Sequence, residues 1–438
     1  MRAPCPYPVI DSRRLFDRHR SVAAIGATNG GSADSPDVAC VDTRARQLLL
    51  SWTTAREFRA QFDPVGNLFI RREGKRPQLA PVLIGSRLDM QPASDAFAGM
   101  FSVLAGLEAL ESMDDACVET ERSVELLIWM SQRGSRFGST ITGSSVATGC
   151  VPLEGSRTVD VNGSCQAQTL KEQGAALTSG GSRSLGLSGC AYVEAHVERG
   201  PSLESEGWKI GIVSGIQAMC TVEIEIVGVE AHAGSTPRRH RNDAFFAAMI
   251  LLERLRIKLH DPADVLRFTV VQFELLPGDS QTVPGRVKFT IDLVHPDLEF
   301  VLRSCEIISA FGSGTIEGCT AYCRPLGRSD PVHFAPAISE QIRLAAVRRK
   351  VPHAGMMSGA IYDAQYVSRE IPTGMFLVPC ARGMGLNQTD NGELNNLSLG
   401  AQVLSDTVLS LAQASWQEFE SPDRQVAIGS IDDLVQKN

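Results

Sequence analysis

Two short apolar runs, Pro81 to Ile84 and Glu125 to Met130, lie between stretches with helical spacing, and this alternation restricts the fold more than anything else in the chain. Such runs read as strands buried on both faces, and strands of that kind belong to parallel sheets covered by helices on either side. The flanking segments fit that reading. Asp11 to Ile25 and Asp42 to Glu57 carry helical apolar spacing, Asn67 to Arg71 reads as a short strand, and Met100 to Leu110 is a helix packed through small residues. Tyr192 to Val197 is a further strand, ending before Gly200-Pro201. The pattern predicts an α/β fold with a largely parallel sheet. Functional groups in that architecture stand just past the strand ends, where Arg87, Asp89, Gln132 and Arg133 fall.

A chain of 438 residues exceeds what one hydrophobic core usually supports, and residues 215–330 carry an order of their own. Thr221 to Val229 alternates as a strand, Asn242 to His260 is an amphipathic helix, and Leu266 to Leu275 and Val287 to Val294 are strands. A helix over Leu298 to Phe311 and a strand over Thr315 to Tyr322 complete the ferredoxin-like order. The larger unit resumes at Ala337 and closes with a helix over Leu397 to Trp416. Gly155 to Gly189 reads as irregular, with a short helix near Gln166 to Glu172, and residues 421–438 as a polar tail.

The net charge of −8 argues against a nucleic-acid or membrane-surface partner. No apolar run approaches the ~20 residues of a membrane span, and the N-terminus lacks the apolar stretch of a secretory signal. Eleven cysteines without framework spacing suggest reduced thiols in a cytoplasmic setting. Cys319 and Cys323, with three residues between them, read as partly buried strand thiols rather than half of a zinc site. Ser144, Ser145 and Cys380 have no nucleophile elbow around them, so Cys380 reads as an ordinary buried cysteine.

Several blocks follow one another in a definite order. They are Gly85-Ser86-Arg87-Leu88-Asp89, Phe97-Ala98-Gly99 and Val103-Leu104-Ala105-Gly106-Leu107-Glu108, then His196-Val197-Glu198-Arg199-Gly200-Pro201. Ala231-His232-Ala233-Gly234-Ser235-Thr236-Pro237, Ser358-Gly359-Ala360-Ile361-Tyr362-Asp363-Ala364 and Gly374-Met375 through Val378-Pro379 come after. In that order they resemble the N-carbamoyl-L-amino-acid hydrolases, allantoate amidohydrolases and β-alanine synthases. The resemblance implies a zinc-exopeptidase-like α/β/α domain, residues 1–214 and 331–420, with an inserted ferredoxin-like lid and dimerisation domain, residues 215–330.

In the family that the chain resembles, two divalent ions about 4 Å apart activate a water and polarise the amide carbonyl, and a glutamate takes the proton. Carried over residue by residue, the first His ligand becomes Arg87, beside the matching Asp89, and the bridging Asp becomes Ala98, with Asp95 the one carboxylate that a local slip could bring in. The base glutamate becomes Gln132, and its neighbouring ligand becomes Arg133. His196 is kept, the last His becomes Leu386, and the acidic residue after it is kept as Asp390. The substrate-carboxylate clamp falls on Gln281 and Val294, and a carbamoyl-side Gln becomes Arg199. A substrate-contacting His is replaced by Tyr362. His232 is kept, either to steady an oxyanion in a neighbouring subunit or for loop geometry.

Guanidinium groups donate hydrogen bonds and cannot ligate a cation, and Gln132 cannot take a proton. The expectation is a family member without the dinuclear site and without a cofactor, acting as a dimeric partner or regulatory protein, with itself or with a relative. A metal-free enzyme or binder of a small anion, gripped by Arg87, Arg133 and Arg199, is one alternative. A residual hydrolase of N-carbamoyl amino acids or allantoate-like ureides is another. In the bland outcome these arginines pair internally with Asp89, Glu198, Asp363 and Asp390.

Overall fold

The computed structural model describes residues 7–27, 37–88, 96–130, 143–153, 181–380 and 391–414. Helices α1 (Ser12–Ala27) and α2 (Asp37–Thr54) lead into β1 (Arg59–Phe62), β2 (Leu68–Arg72), β3 (Val82–Arg87), α3 (Ala96–Asp115), β4 (Val124–Trp129) and the short α4 (Gly143–Ala147). After them come β5 (Gly181–Ser182), β6 (Ala191–Val197), α5 (Ser202–Ser205) and β7 (Ile210–Ile216). A second unit is built from β8 (Ala218–Val227), β9 (Ala231–His232), α6 (Ala244–Lys258), β10 (Arg267–Leu276), β11 (Thr282–Val283), β12 (Arg286–His295), α7 (Leu298–Phe311), β13 (Gly314–Ile316) and β14 (Cys319–Ser329). The chain returns through β15 (Val332–His333), α8 (Pro336–Arg348), β16 (His353–Ser358), α9 (Ala364–Val367), β17 (Thr373–Val378) and α10 (Asn391–Gln413). The short helix expected near Gln166 and the polar tail 421–438 lie outside the described residues.

The larger sheet runs β15-β7-β17-β6-β3-β4-β2-β1-β5, with β16 also on β7. Its centre, β17-β6-β3-β4, is parallel, as the apolar runs predict. Its flanks correct that expectation, because β1, β2 and β4 pair antiparallel, as do β7 and β17. The reason at β1–β2 is the short connection. Asp63 accepts hydrogen bonds from the backbone of Val65 and Asn67 and folds the chain straight back, and a connection so short cannot make a parallel crossover.

The apolar runs work as read: every residue of β3 and β4 is buried. One face of the sheet packs on α1, α3, α8 and α10 through Ile84, Leu126, Val193, Phe376 and Leu404, among others. The other face buries Phe69, Leu83, Trp129, Tyr192 and Met375. Gly106 lets α3 approach closely, since a Cβ there would stand 2.7 Å from Leu126 Cδ1. Gly85 is more constrained still, with φ +131° and a Cβ position 2.0 Å from the Leu127 carbonyl oxygen of the neighbouring strand.

The second sheet has the order β10-β12-β8-β14-β13. Counted as strands of a βαββαβ unit, its four long strands stand fourth-first-third-second, the ferredoxin-like arrangement. Strand β8 alternates strictly, with Ala218, Cys220, Val222, Ile224 and Ile226 inward. Helices α6 and α7 cover that face. Each starts at an aspartate: Asp243 accepts from the backbone of Phe245 and Phe246, and Asp297 from Glu299. Strands β9 and β11 form a separate two-stranded arm. No helix among the described residues is long and apolar enough to cross a membrane.

Gly85→Ala combines a strained φ with a backbone clash and is expected to cost about 2–4 kcal/mol of stability in urea denaturation. Gly355→Ala, where nothing lies within 4 Å of the new Cβ, is expected to stay within about 0.5 kcal/mol of the parent.

Candidate functional site

The parallel strands β3 and β6 are neighbours, and their C-terminal ends carry the site. Side chains two residues apart share a face of a strand, so Tyr192, Glu194 and His196 of β6 point the same way. Glu194 is fully buried and collects donors from several elements. Ser86 Oγ donates to its Oε1 at 2.8 Å, and His196 Nε2 lies 2.6 Å from the same oxygen. The backbone N–H of Ala364, at the start of α9, donates to Oε2 at 2.6 Å. The Tyr192 hydroxyl stands 3.1 Å from Oε2 and 2.8 Å from the Gly85 carbonyl, and accepts from Trp129 Nε1. Ser86 Oγ is also 3.1 Å from His196 Nε2. A carboxylate only accepts, so this arrangement sets the proton of His196 on Nε2.

Tyr362 and Asp363 enter from the loop before α9. The Tyr362 ring lies 4.4 Å from that of His196, tilted by 36°. Burial pushes its hydroxyl up to about 12, against the opposing pull of Arg199 and Arg87. Asp363 is fully buried, and Ser144 Oγ donates to its Oδ1 at 2.5 Å. Its Oδ2 has no hydrogen bond and faces Arg87 Nη1 at 3.7 Å. Burial raises the Asp363 carboxyl above the usual range, and Arg87 pulls it back down.

Of the residues singled out in the sequence, Arg87, His196, Tyr362 and Asp363 come together here. Arg199 is exposed, and its charge reaches Tyr362. Glu198 accepts from the backbone of Ser202 and Leu203 at the start of α5, rather than standing as a partner of Arg87. His232 lies on the exposed β9 arm, where its Nδ1 accepts from the backbone of Gly234 and Ser235 at 3.2 and 3.1 Å. That contact puts the His232 proton on Nε2, and Gln281 lies beside it on the same arm. Val294 of β12 packs over Gly359. Cys380 is buried and Ser144 is committed to Asp363. Asp89, Asp95, Gln132, Arg133, Leu386 and Asp390, and the side chain of Ala98, lie outside the described residues. The sequence reading passed over Glu194, Tyr192 and Ser86; the period-two spacing of Glu194 before His196 was the signal that could have found them.

Among the described residues, no group of three or more His, Cys, Asp or Glu is placed to hold a metal ion. The cation facing the orphaned Asp363 oxygen is a guanidinium, which has no lone pair to give a metal. Arg87 therefore supplies no metal ligand at this point of the site.

Residues 96–410 match peptidase family M20/M25/M40. The chain is 31% identical to an N-carbamoyl-L-amino-acid amidohydrolase of Rhizobium meliloti, over 94% of this chain and 99% of that protein. It is 26% identical to an allantoate amidohydrolase of Bacillus subtilis, over 80% of this chain and 86% of the relative. A solved amidase of the hydantoinase/carbamoylase family from Burkholderia multivorans superposes with TM-score 0.79 at 32% identity, over 93% of this chain and 99% of that one. These relationships overturn one expectation. Members of this family are metal-dependent hydrolases, so the reading of a protein without a cofactor does not stand.

Replacing Arg87 by Met removes the cation beside a buried carboxylate and is expected to cost about 3 kcal/mol. Adding Asp363→Asn removes the stranded charge and is expected to restore most of that loss, read by urea denaturation of both variants. The order of the sequence blocks, the sheet that carries Arg87 and His196 side by side, and the extent of these similarities make one conclusion: the chain belongs to peptidase family M20/M25/M40, among the carbamoylase and allantoate amidohydrolase members.

Proposed function

We propose that this protein is a carbamoylase-type member that does not perform the family's hydrolysis and acts as a dimeric partner or regulatory protein in a cytoplasmic setting. The observation that carries the reading is Arg87. At a position that the resemblance gives to a metal-ligating His, it is buried and ion-paired with Asp363. The sequence adds Gln132 at the base position, and an amide cannot take a proton from water. Arg87 is committed inside the protein, which favours internal pairing over the grip of a small anion.

Residues 215–330 serve in this reading as the dimerisation unit. Strand β10 is the edge of its sheet and is exposed along nearly its whole length, including Val270, Val271, Phe273, Leu275 and Leu276. An exposed apolar edge of ten residues is an open template for another strand. Two copies of β10 running antiparallel about a two-fold axis would bring the same edge together from both subunits, an isologous contact.

The hydrolytic half of the proposal is tested by incubating the protein with N-carbamoyl amino acids and allantoate, with Zn²⁺ or Mn²⁺ supplied. The expected result is no turnover above the uncatalysed rate, and turnover that chelation abolishes would overturn the reading. Light scattering tests the assembly: a dimer of the 47.2 kDa chain is expected. Val271→Lys should weaken the dimer at least about tenfold, roughly 1.4 kcal/mol. A monomeric parent protein sinks the dimer.

A further inference from the structure

The chain crosses between the two units twice, and the crossings run side by side. In the larger sheet Ile216 of β7 pairs with Val332 of β15, and in the smaller one Met219 of β8 pairs with Ser329 of β14. Ala218 is already paired with His295 in the smaller sheet, so only Gln217, Asp330 and Pro331 lie between the two ladders. Short junctions of this kind are where a rotation of one unit against the other is absorbed. A single segment of the larger unit grips both crossings. The Ser358 carbonyl, at the end of β16, accepts from the backbone N–H of Gln217 at 2.8 Å. Further along the same segment, Gln365 Nε2 of α9 donates to Ser329 Oγ. Between these grips stand Tyr362, Asp363 and the Ala364 N–H that donates to Glu194. Gln365 is 3% exposed, and its Oε1 has no hydrogen bond among the described residues. A buried amide with half its capacity unmet costs stability, and what the amide adds here is the bond to Ser329.

We propose that Gln365 is a positioning residue that locks the segment Tyr362–Ala364 to the junction between the units, so that the orientation of residues 215–330 and the placement of Tyr362 beside His196 are set together. Helix α9 has four residues, too few to hold an orientation by itself, and takes it from its contacts. Asp363 is held by Ser144 and Arg87, and Ala364 by Glu194, all within the larger unit. Gln365 instead leads to the strand by which the chain leaves the second unit. Turning that unit carries Ser329, and with it α9, relative to Glu194 and His196 of β6. The link holds whether or not the protein hydrolyses anything.

Hydrogen–deuterium exchange of the full-length protein, read by mass spectrometry, tests it. Gln365→Leu keeps the buried volume and removes the amide. Exchange should rise about fivefold or more both in peptides covering residues 358–367 and in those covering 215–220 and 328–333. Ser329→Ala should do the same from the other side, while Ser329→Thr, which keeps the hydroxyl, should match the parent. The double variant Gln365→Leu/Ser329→Ala should go no further than either single one. Faster exchange around α9 alone is what a purely local role gives, and it would overturn the proposal. So would unchanged exchange in both regions, or additive effects in the double variant. Ser329 is half-buried, so its variants decide the matter if Gln365→Leu fails to fold.

Discussion

The buried carboxylate of Glu194 is the interaction on which the candidate site depends. A fully buried acceptor of this kind is tolerable only when donors surround it, and here they arrive from β3, β6 and α9 at once. Ser86, His196 and the backbone of Ala364 have their positions set by one pair of oxygens. Tyr192 links the same carboxylate to the Gly85 carbonyl, at the point where β3 and β4 run too close for any side chain. Removing Glu194 would leave three elements without the group that orients them.

Arg87 then acquires its meaning from the neighbour it faces. Asp363 is held by Ser144 on one oxygen and carries a second oxygen with no hydrogen bond. A positive charge is required beside it, because an uncompensated carboxylate in the interior is expensive. The Arg87 guanidinium supplies that charge at 3.7 Å. The Arg87 guanidinium is thereby paired inside the protein.

The parallel centre of the sheet was legible because β3 and β4 are apolar throughout, and the ferredoxin-like order because β8 alternates and aspartates open both helices. The antiparallel flanks were not legible. They depend on where a short turn reverses the chain, as at Asp63, and on β7, whose burial comes from neighbours far along the sequence. At the site, ordered blocks pointed to Arg87, His196 and Tyr362. Glu198 takes its backbone donors from the start of α5, a meeting that residue types alone did not show.

The sequence by itself determined the fold class and the family, since those rest on residue types and their order. Only the tertiary structure decided that Arg87 faces Asp363 and that Glu194 gathers the site. Each of those is a meeting between elements far apart in the chain, and a contact exists only once the sheet register and the helix packing have set the distances.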